Sequence, residues 1–298
     1  MLVVFVPGNS YAQSPTISPL PFSKNNFSGT VIFKWRGSHK HYHQSKMGIE
    51  DIRGKILISS PRGSKEIVRI ANLSHLPPVG SKYQFIYKPG IKIAGRPTRQ
   101  IDIKRGSHIV EKVWVDTASG IVLKSQLFSV KGYLTRSMYF EKISFSKPNS
   151  KALSHNYKSF QKVSTKDLPS IYQAPTHLAN GYQRVEILKT KQRLEVVYSD
   201  GLRTISVFEQ VGKLSQLPHI DMNKEINLGY AKASSYDWAG GEVLVWQAGP
   251  CIYTLVADDS SSNLAVIAKS IPKPHPISLL QRIGDESREI VEMFVGYY

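Results

Sequence analysis

Ile121-Val122-Leu123-Lys124-Ser125-Gln126-Leu127-Phe128-Ser129-Val130 and Leu134-Thr135-Arg136-Ser137-Met138-Tyr139-Phe140-Glu141-Lys142-Ile143-Ser144-Phe145 decide the fold. Only Lys131, Gly132 and Tyr133 separate them. In both, apolar residues alternate with Lys, Arg, Ser and Gln. A period of two places one set of side chains on each face of an extended chain, so one face is buried and the other wet, as in an antiparallel strand.

Similar runs lie upstream: Thr30–Trp35, Lys55–Ile58, Glu66–Ile70, Tyr83–Tyr87, Arg99–Ile103 and Glu111–Asp116. Turn signals part them at Pro61-Arg62-Gly63, Lys88-Pro89-Gly90 and Ala118-Ser119-Gly120. Short strands at regular spacing predict one antiparallel sheet over residues 26–148, curled around an apolar hollow. Phe33, Trp35, Phe85, Tyr87, Trp114, Phe128 and Phe140 are the candidates to line that hollow. A packed core needs the same inward face, so alternation alone does not separate core from cavity.

The pattern lapses over 149–167 and resumes in a second, α+β domain over 168–272. Its strands are Gln183–Leu188, Arg193–Tyr198, Thr204–Gln210, Val243–Trp246 and Cys251–Val256, with Ser199-Asp200-Gly201 as a tight turn. Leu264, Ile267, Ala268 and Ile271 recur at helical spacing. Residues 277–295 repeat that period and predict an amphipathic tail helix, docked on its own domain or on a partner or membrane surface.

Of 298 residues, 41% are hydrophobic and 20% charged, enough apolar material for two modest cores. The formal net charge of +17 favours anionic partners through long-range fields. No zinc-finger spacing, RNP-like run or basic zipper is present, which argues against nucleic acid. The lone Cys251 cannot form an internal disulfide and sits in an apolar run, where a thiol packs as a small hydrophobe. Residues 1–12 read as a truncated signal peptide, with a short apolar run and then Ser10-Tyr11-Ala12. The Ser/Pro-rich residues 13–25 read as a linker. Export by such a signal, with no stretch long and apolar enough to span a bilayer as a helix, leads to the expectation of an extracytoplasmic protein.

No G-x-S-x-G, H-E-x-x-H, P-loop or Rossmann glycine pattern occurs, and the 22 acidic residues are scattered. A binding protein without catalytic residues or cofactor is the expectation. His39, His41 and His43 would share one face of a strand and could meet Zn²⁺, but the polar segment beside Gly37 reads better as a solvated hairpin tip.

Several phrases resemble the MucB/RseB family. Gly95-Arg96 precedes a strand, and Val113-Trp114-Val115-Asp116-Thr117-Ala118-Ser119-Gly120-Ile121-Val122-Leu123-Lys124 follows, as in its LolA-like N-terminal domain. Tyr198-Ser199-Asp200-Gly201-Leu202 and the phrase around Tyr253 resemble its C-terminal domain. The resemblance spans about residues 26–272. It implies a LolA-like half-barrel followed by a smaller domain. It also implies binding to the exported domain of an anti-sigma factor, protecting that factor from proteolysis in an envelope stress response, with a lipid-like ligand as a regulator. The alternative is a LolA-like carrier of lipid or lipoprotein acyl chains.

Overall fold

The computed structural model describes residues 26–36, 41–52, 55–59, 65–68, 83–129, 131–146, 161–169, 171–189, 193–214, 224–238, 241–257 and 261–273. The expected signal peptide, the first linker and the tail helix over 277–295 lie outside these residues. The chain is mostly β and divides into two compact units, Met1–Ser154 and His155–Tyr298.

In the first unit, β1 (Asn26–Arg36), β2 (Tyr42–Ile52), β3 (Lys55–Ser59) and β4 (Lys65–Val68) come first. After them come β5 (Tyr83–Pro89), β6 (Thr98–Arg105), β7 (His108–Asp116), β8 (Val122–Phe128) and β9 (Leu134–Ser146). They form one antiparallel sheet in the order β4-β3-β2-β1-β9-β8-β7-β6-β5. The last strand returns to pair with the first. Strands β4 and β5, consecutive among the described strands, stand at the two ends of this order. Pairing them would close a barrel; their separation leaves the sheet open.

The β1–β9 pairing contains a bulge at Thr30/Val31. There β9 approaches so closely that a Cβ on Gly29 would run into the Lys142 carbonyl oxygen and meet the Phe140 ring at 3.0 Å. Glycine is the side chain this crossing permits. Strand β2 is absent from the sequence reading, which places a polar hairpin tip at His39–His43. Only Met47 and Ile49 of β2 are buried among its described side chains, so its apolar alternation is weak and pairing with β1 holds it extended.

The second unit contains β10 (Gln161–Lys162), β11 (His177–Leu178), β12 (Tyr182–Lys189), β13 (Arg193–Ser199) and β14 (Thr204–Val211). It continues with β15 (Lys224–Asn227), β16 (Lys232–Trp238), β17 (Gly241–Ala248), β18 (Cys251–Ala257) and helix α1 (Ser261–Lys269). The sheet runs β10-β12-β13-β14-β18-β17-β16-β15, with β11 also on β12. Leu264, Ile267 and Ala268 of α1, and Ile271 beyond it, are buried with Val196, Val207, Leu244 and Leu255 of the sheet. Burying a side chain such as Leu264 or Ile267 contributes roughly 1.5–3 kcal/mol, which holds a helix too short to persist alone. The alternate positions Val197, Phe208, Val245 and Thr254 are buried as well, so the central strands are buried on both faces.

Candidate binding site

The register of the first sheet decides which aromatic side chains share a face. Phe33 lies opposite Ser45 and Met138, and Trp35 opposite His43 and Arg136. Val31 lies opposite Met47 and Phe140. Following the same face through Ser125 and Val113 leads to Ile101 and then Tyr87; the neighbouring rung leads through Ile103 to Phe85. Phe33, Trp35, Phe85, Tyr87 and Phe140 therefore share one apolar face. Phe33 and Phe140 are buried, while Trp35, Phe85 and Tyr87 at its flanks are half-buried. Phe27 packs edge-on against Phe140 with ring centroids 5.9 Å apart.

Trp114 and Phe128 lie on the opposite face. Trp114 pairs with Lys124 and Gln100 in register. The Lys124 ammonium sits 4.4 Å above its ring, and Lys112 lies 5.5 Å from the Phe128 ring. Burial lowers the affinity of Lys124 for its proton, a cost the aromatic face offsets in part. These two aromatics are roofed by lysine stems rather than turned toward the apolar face.

Among the histidines, His39 lies outside the described residues. His41 and His43 are exposed, and the His43 ring stacks on Trp35 at 5.4 Å and 20°. Among the described residues no group of three His, Cys, Asp or Glu could hold a metal ion.

The residues that carry the family phrases form two polar knots. Ala94 (φ +50°) and Gly95 (φ +77°) make a two-residue turn closed by reciprocal 2.9 Å bonds between Ile93 and Arg96. Left-handed backbone at both central positions favours glycine and makes Ala94 a strained occupant. The turn aims Arg96 at the fully buried Asp116, which accepts from Nε at 3.0 Å and from the terminal nitrogen at 2.9 Å. The same carboxylate accepts from the Ser119 backbone N–H at 2.8 Å and its hydroxyl at 2.5 Å. Burial alone pushes the Asp116 carboxyl up, but these hydrogen bonds outweigh it and hold it below the usual carboxylate range. Arg96 also lies 4.6 Å over the Phe145 ring, so one guanidinium ties the β5–β6 loop to the β7–β8 turn and β9.

The second knot is Tyr198–Leu202. The Asp200 carboxylate accepts from the N–H groups of Leu202 at 3.0 Å and Arg203 at 2.8 Å. Ser199 Oγ accepts from the Gly201 N–H and donates to the Arg203 carbonyl, both at 3.0 Å. The polar side chains are spent on the backbone of their own turn. Tyr198 and Leu202 pack into the core, and Tyr253 stacks on Trp246 at 5.2 Å.

One polar group stands out from this packing. Glu209 lies directly between Leu194 and Tyr253 in register, on the core face of the second sheet, and is fully buried. Its Oε2 accepts from the Gln173 N–H at 2.7 Å. Oε1 and the facing Tyr253 hydroxyl lack hydrogen-bond partners; the two groups influence each other without meeting hydrogen-bond geometry. Burial pushes the Glu209 carboxyl up to about 8, against the opposing pull of the Gln173 N–H and the smaller pull of the Tyr253 hydroxyl. It also pushes the nearby Cys251 thiol and Tyr172 hydroxyl up to about 12 each, so neither is a nucleophile at neutral pH.

Residues 173–271 match a family model described as a domain of unknown function (DUF4367). No curated protein matches the chain. Among solved structures, MucB resembles it with 16% identity and a TM-score of 0.47, over 85% of this chain and 93% of that one. The MucA/MucB complex of Pseudomonas aeruginosa gives 16% identity and 0.46, over 85% and 94%. A putative outer membrane lipoprotein-sorting protein domain from Vibrio parahaemolyticus gives 13% identity and 0.19, over 46% and 90%.

Proposed function

We propose that this chain is an extracytoplasmic regulatory binding protein. It engages the exported domain of an anti-sigma factor and shields it from proteolysis. The observation that carries the reading is the second unit, whose β13–β14 turn is built on Tyr198–Leu202, the most specific of the family phrases. A carrier of acyl chains needs only the first sheet; a protein that holds a protein partner has use for a second folded unit. MucB is seen with MucA in a solved structure, and the proposal gives this chain a partner of that kind. Phe85, Tyr87 and Trp35 flank the apolar face half-exposed and favour a second reading, an acyl-chain ligand seated there.

The test is calorimetry of the full chain against the exported domain of its cognate anti-sigma factor. A protease-protection assay accompanies it. Saturable binding with slower cleavage of the partner is the expected result. No binding, together with acyl chains that co-purify with the protein, would replace the regulatory reading with the carrier.

A further inference from the structure

Neighbouring strands of the first sheet run antiparallel, so the end of β1, the start of β2, the β6–β7 turn and the β8–β9 turn lie at one rim. Across residues 34–36, 41–44, 103–110, 127–129 and 131–136, the described part of this rim, there is no Asp or Glu. The carboxylates next in sequence, Asp102 and Glu111, lie one residue further into β6 and β7, and both are buried. Cations are present instead: Arg105 and Lys131 are exposed, and Arg36 is half-buried.

The same rim carries the exposed aromatics among the unit's described residues. Tyr42 is 62% exposed and Tyr133 59%. Arg36 sits between them. It pairs in register with Tyr42, and its guanidinium lies 5.8 Å from the Tyr133 ring. The Tyr42 hydroxyl donates to the Leu134 carbonyl at 3.3 Å, which holds its ring against the β8–β9 turn. A half-buried guanidinium flanked by two exposed amphipathic rings, with no carboxylate among the described residues of the rim, matches an anionic oxygen ligand at a water–apolar boundary.

We infer that this rim docks on an anionic bilayer surface, with Tyr42 and Tyr133 at the headgroup level and Arg36, Arg105 and Lys131 on lipid phosphates. Tyrosine rings beside arginine and lysine are the composition of a membrane-interface anchor. The geometry favours a surface over a peptide. Peptides are held by a groove or a strand edge that offers backbone hydrogen bonds. Hairpin tips offer separate points of charge, which fit an array of phosphates. The inference stands apart from the anti-sigma reading, since it rests on a rim that none of the family phrases touches.

The experiment is flotation of the full chain with vesicles of phosphatidylcholine, with and without phosphatidylglycerol. Variants Arg36→Gln/Lys131→Gln and Tyr42→Ser/Tyr133→Ser are compared with Lys166→Gln/Lys269→Gln, which removes the same charge from exposed positions of the second unit. Unchanged melting temperature is established first for each. The parent floats only with the anionic vesicles. Each basic residue near the surface is worth about fivefold in affinity, so the rim pair loses about 25-fold. The tyrosine pair also weakens binding, and the control pair keeps parental affinity. Equal losses in the rim and control pairs would show diffuse attraction by net charge and overturn the inference. So would parental binding by the tyrosine pair, or capture by immobilised poly-glutamate with no flotation.

Discussion

Replacing Glu209 by Gln tests whether the second core holds a protonated carboxyl. In the unfolded chain the group titrates at its ordinary 4.5, whereas burial raises it to about 8 in the fold. Between those values the folded state binds a proton that the unfolded state has lost, so stability falls as pH rises through that window. At 1.36 kcal/mol per pH unit, keeping the proton at pH 7 costs the fold about 3 kcal/mol, and the loss is complete above about pH 8. Glutamine avoids this cost and still accepts the Gln173 N–H through its amide oxygen. Its NH₂ faces the unpartnered Tyr253 hydroxyl, and imperfect pairing there returns about 1 kcal/mol. The variant is therefore expected to be about 2 kcal/mol more stable than the parent at pH 7 and no more stable at pH 4.5. The assay is urea unfolding of both proteins from pH 4.5 to 8.5, read as their difference. Taking the difference matters, because Glu195 is a second buried carboxyl whose proton affinity burial raises, and it contributes to both curves equally. A stability difference that does not change with pH would refute the reasoning, since the carboxyl would then ionise in the fold as it does in water.

Two further substitutions probe the first unit. Arg96→Met strips the counter-charge from the fully buried Asp116 and is expected to cost about 3–5 kcal/mol in urea unfolding, with Arg96→Met/Asp116→Asn recovering part of the loss. Ala94→Gly relieves a left-handed backbone at φ +50° and is expected to raise stability by about 0.5 kcal/mol, seen as an upward shift in melting temperature.

Much of the fold could be read from residue order because its signals are local. Leu264, Ile267, Ala268 and Ile271 announce α1 by spacing alone, and β8 and β9 announce themselves by alternation. Strands β2, β15 and β16 escape that reading. Their sequences, such as Lys224-Glu225-Ile226-Asn227, carry few apolar residues, and pairing with a stronger neighbour makes them extended. The aromatic residues of the first sheet were legible as strand residues, but the face each one takes was not. Trp114 and Phe128 sit beside bulges at Trp114/Val115 and Leu127/Phe128, and the side a residue faces depends on register that composition does not encode. Glu209 was missed because a lone Glu in a β-run normally marks the wet side. Its parity with Ile205 and Val207 was the available signal, and it gained meaning only once β14 was buried on both faces.

The residues most useful for spotting the family resemblance are poor candidates for contacting a partner. Arg96, Asp116 and Ser119 satisfy one another, and Ser199 and Asp200 satisfy their own turn, so little of their hydrogen-bonding capacity faces outward. Sequence phrases of this kind report the scaffold, and they would persist in proteins that bind different things on it. Binding must then draw on groups the scaffold does not consume. Among the described residues of the first unit, candidates are the half-exposed aromatics Trp35 and Tyr87, and the rim around Arg36, Tyr42 and Tyr133. Substitutions in the two knots should therefore lower stability and binding together, whereas substitutions at the flanks and rim should lower binding while the protein melts unchanged.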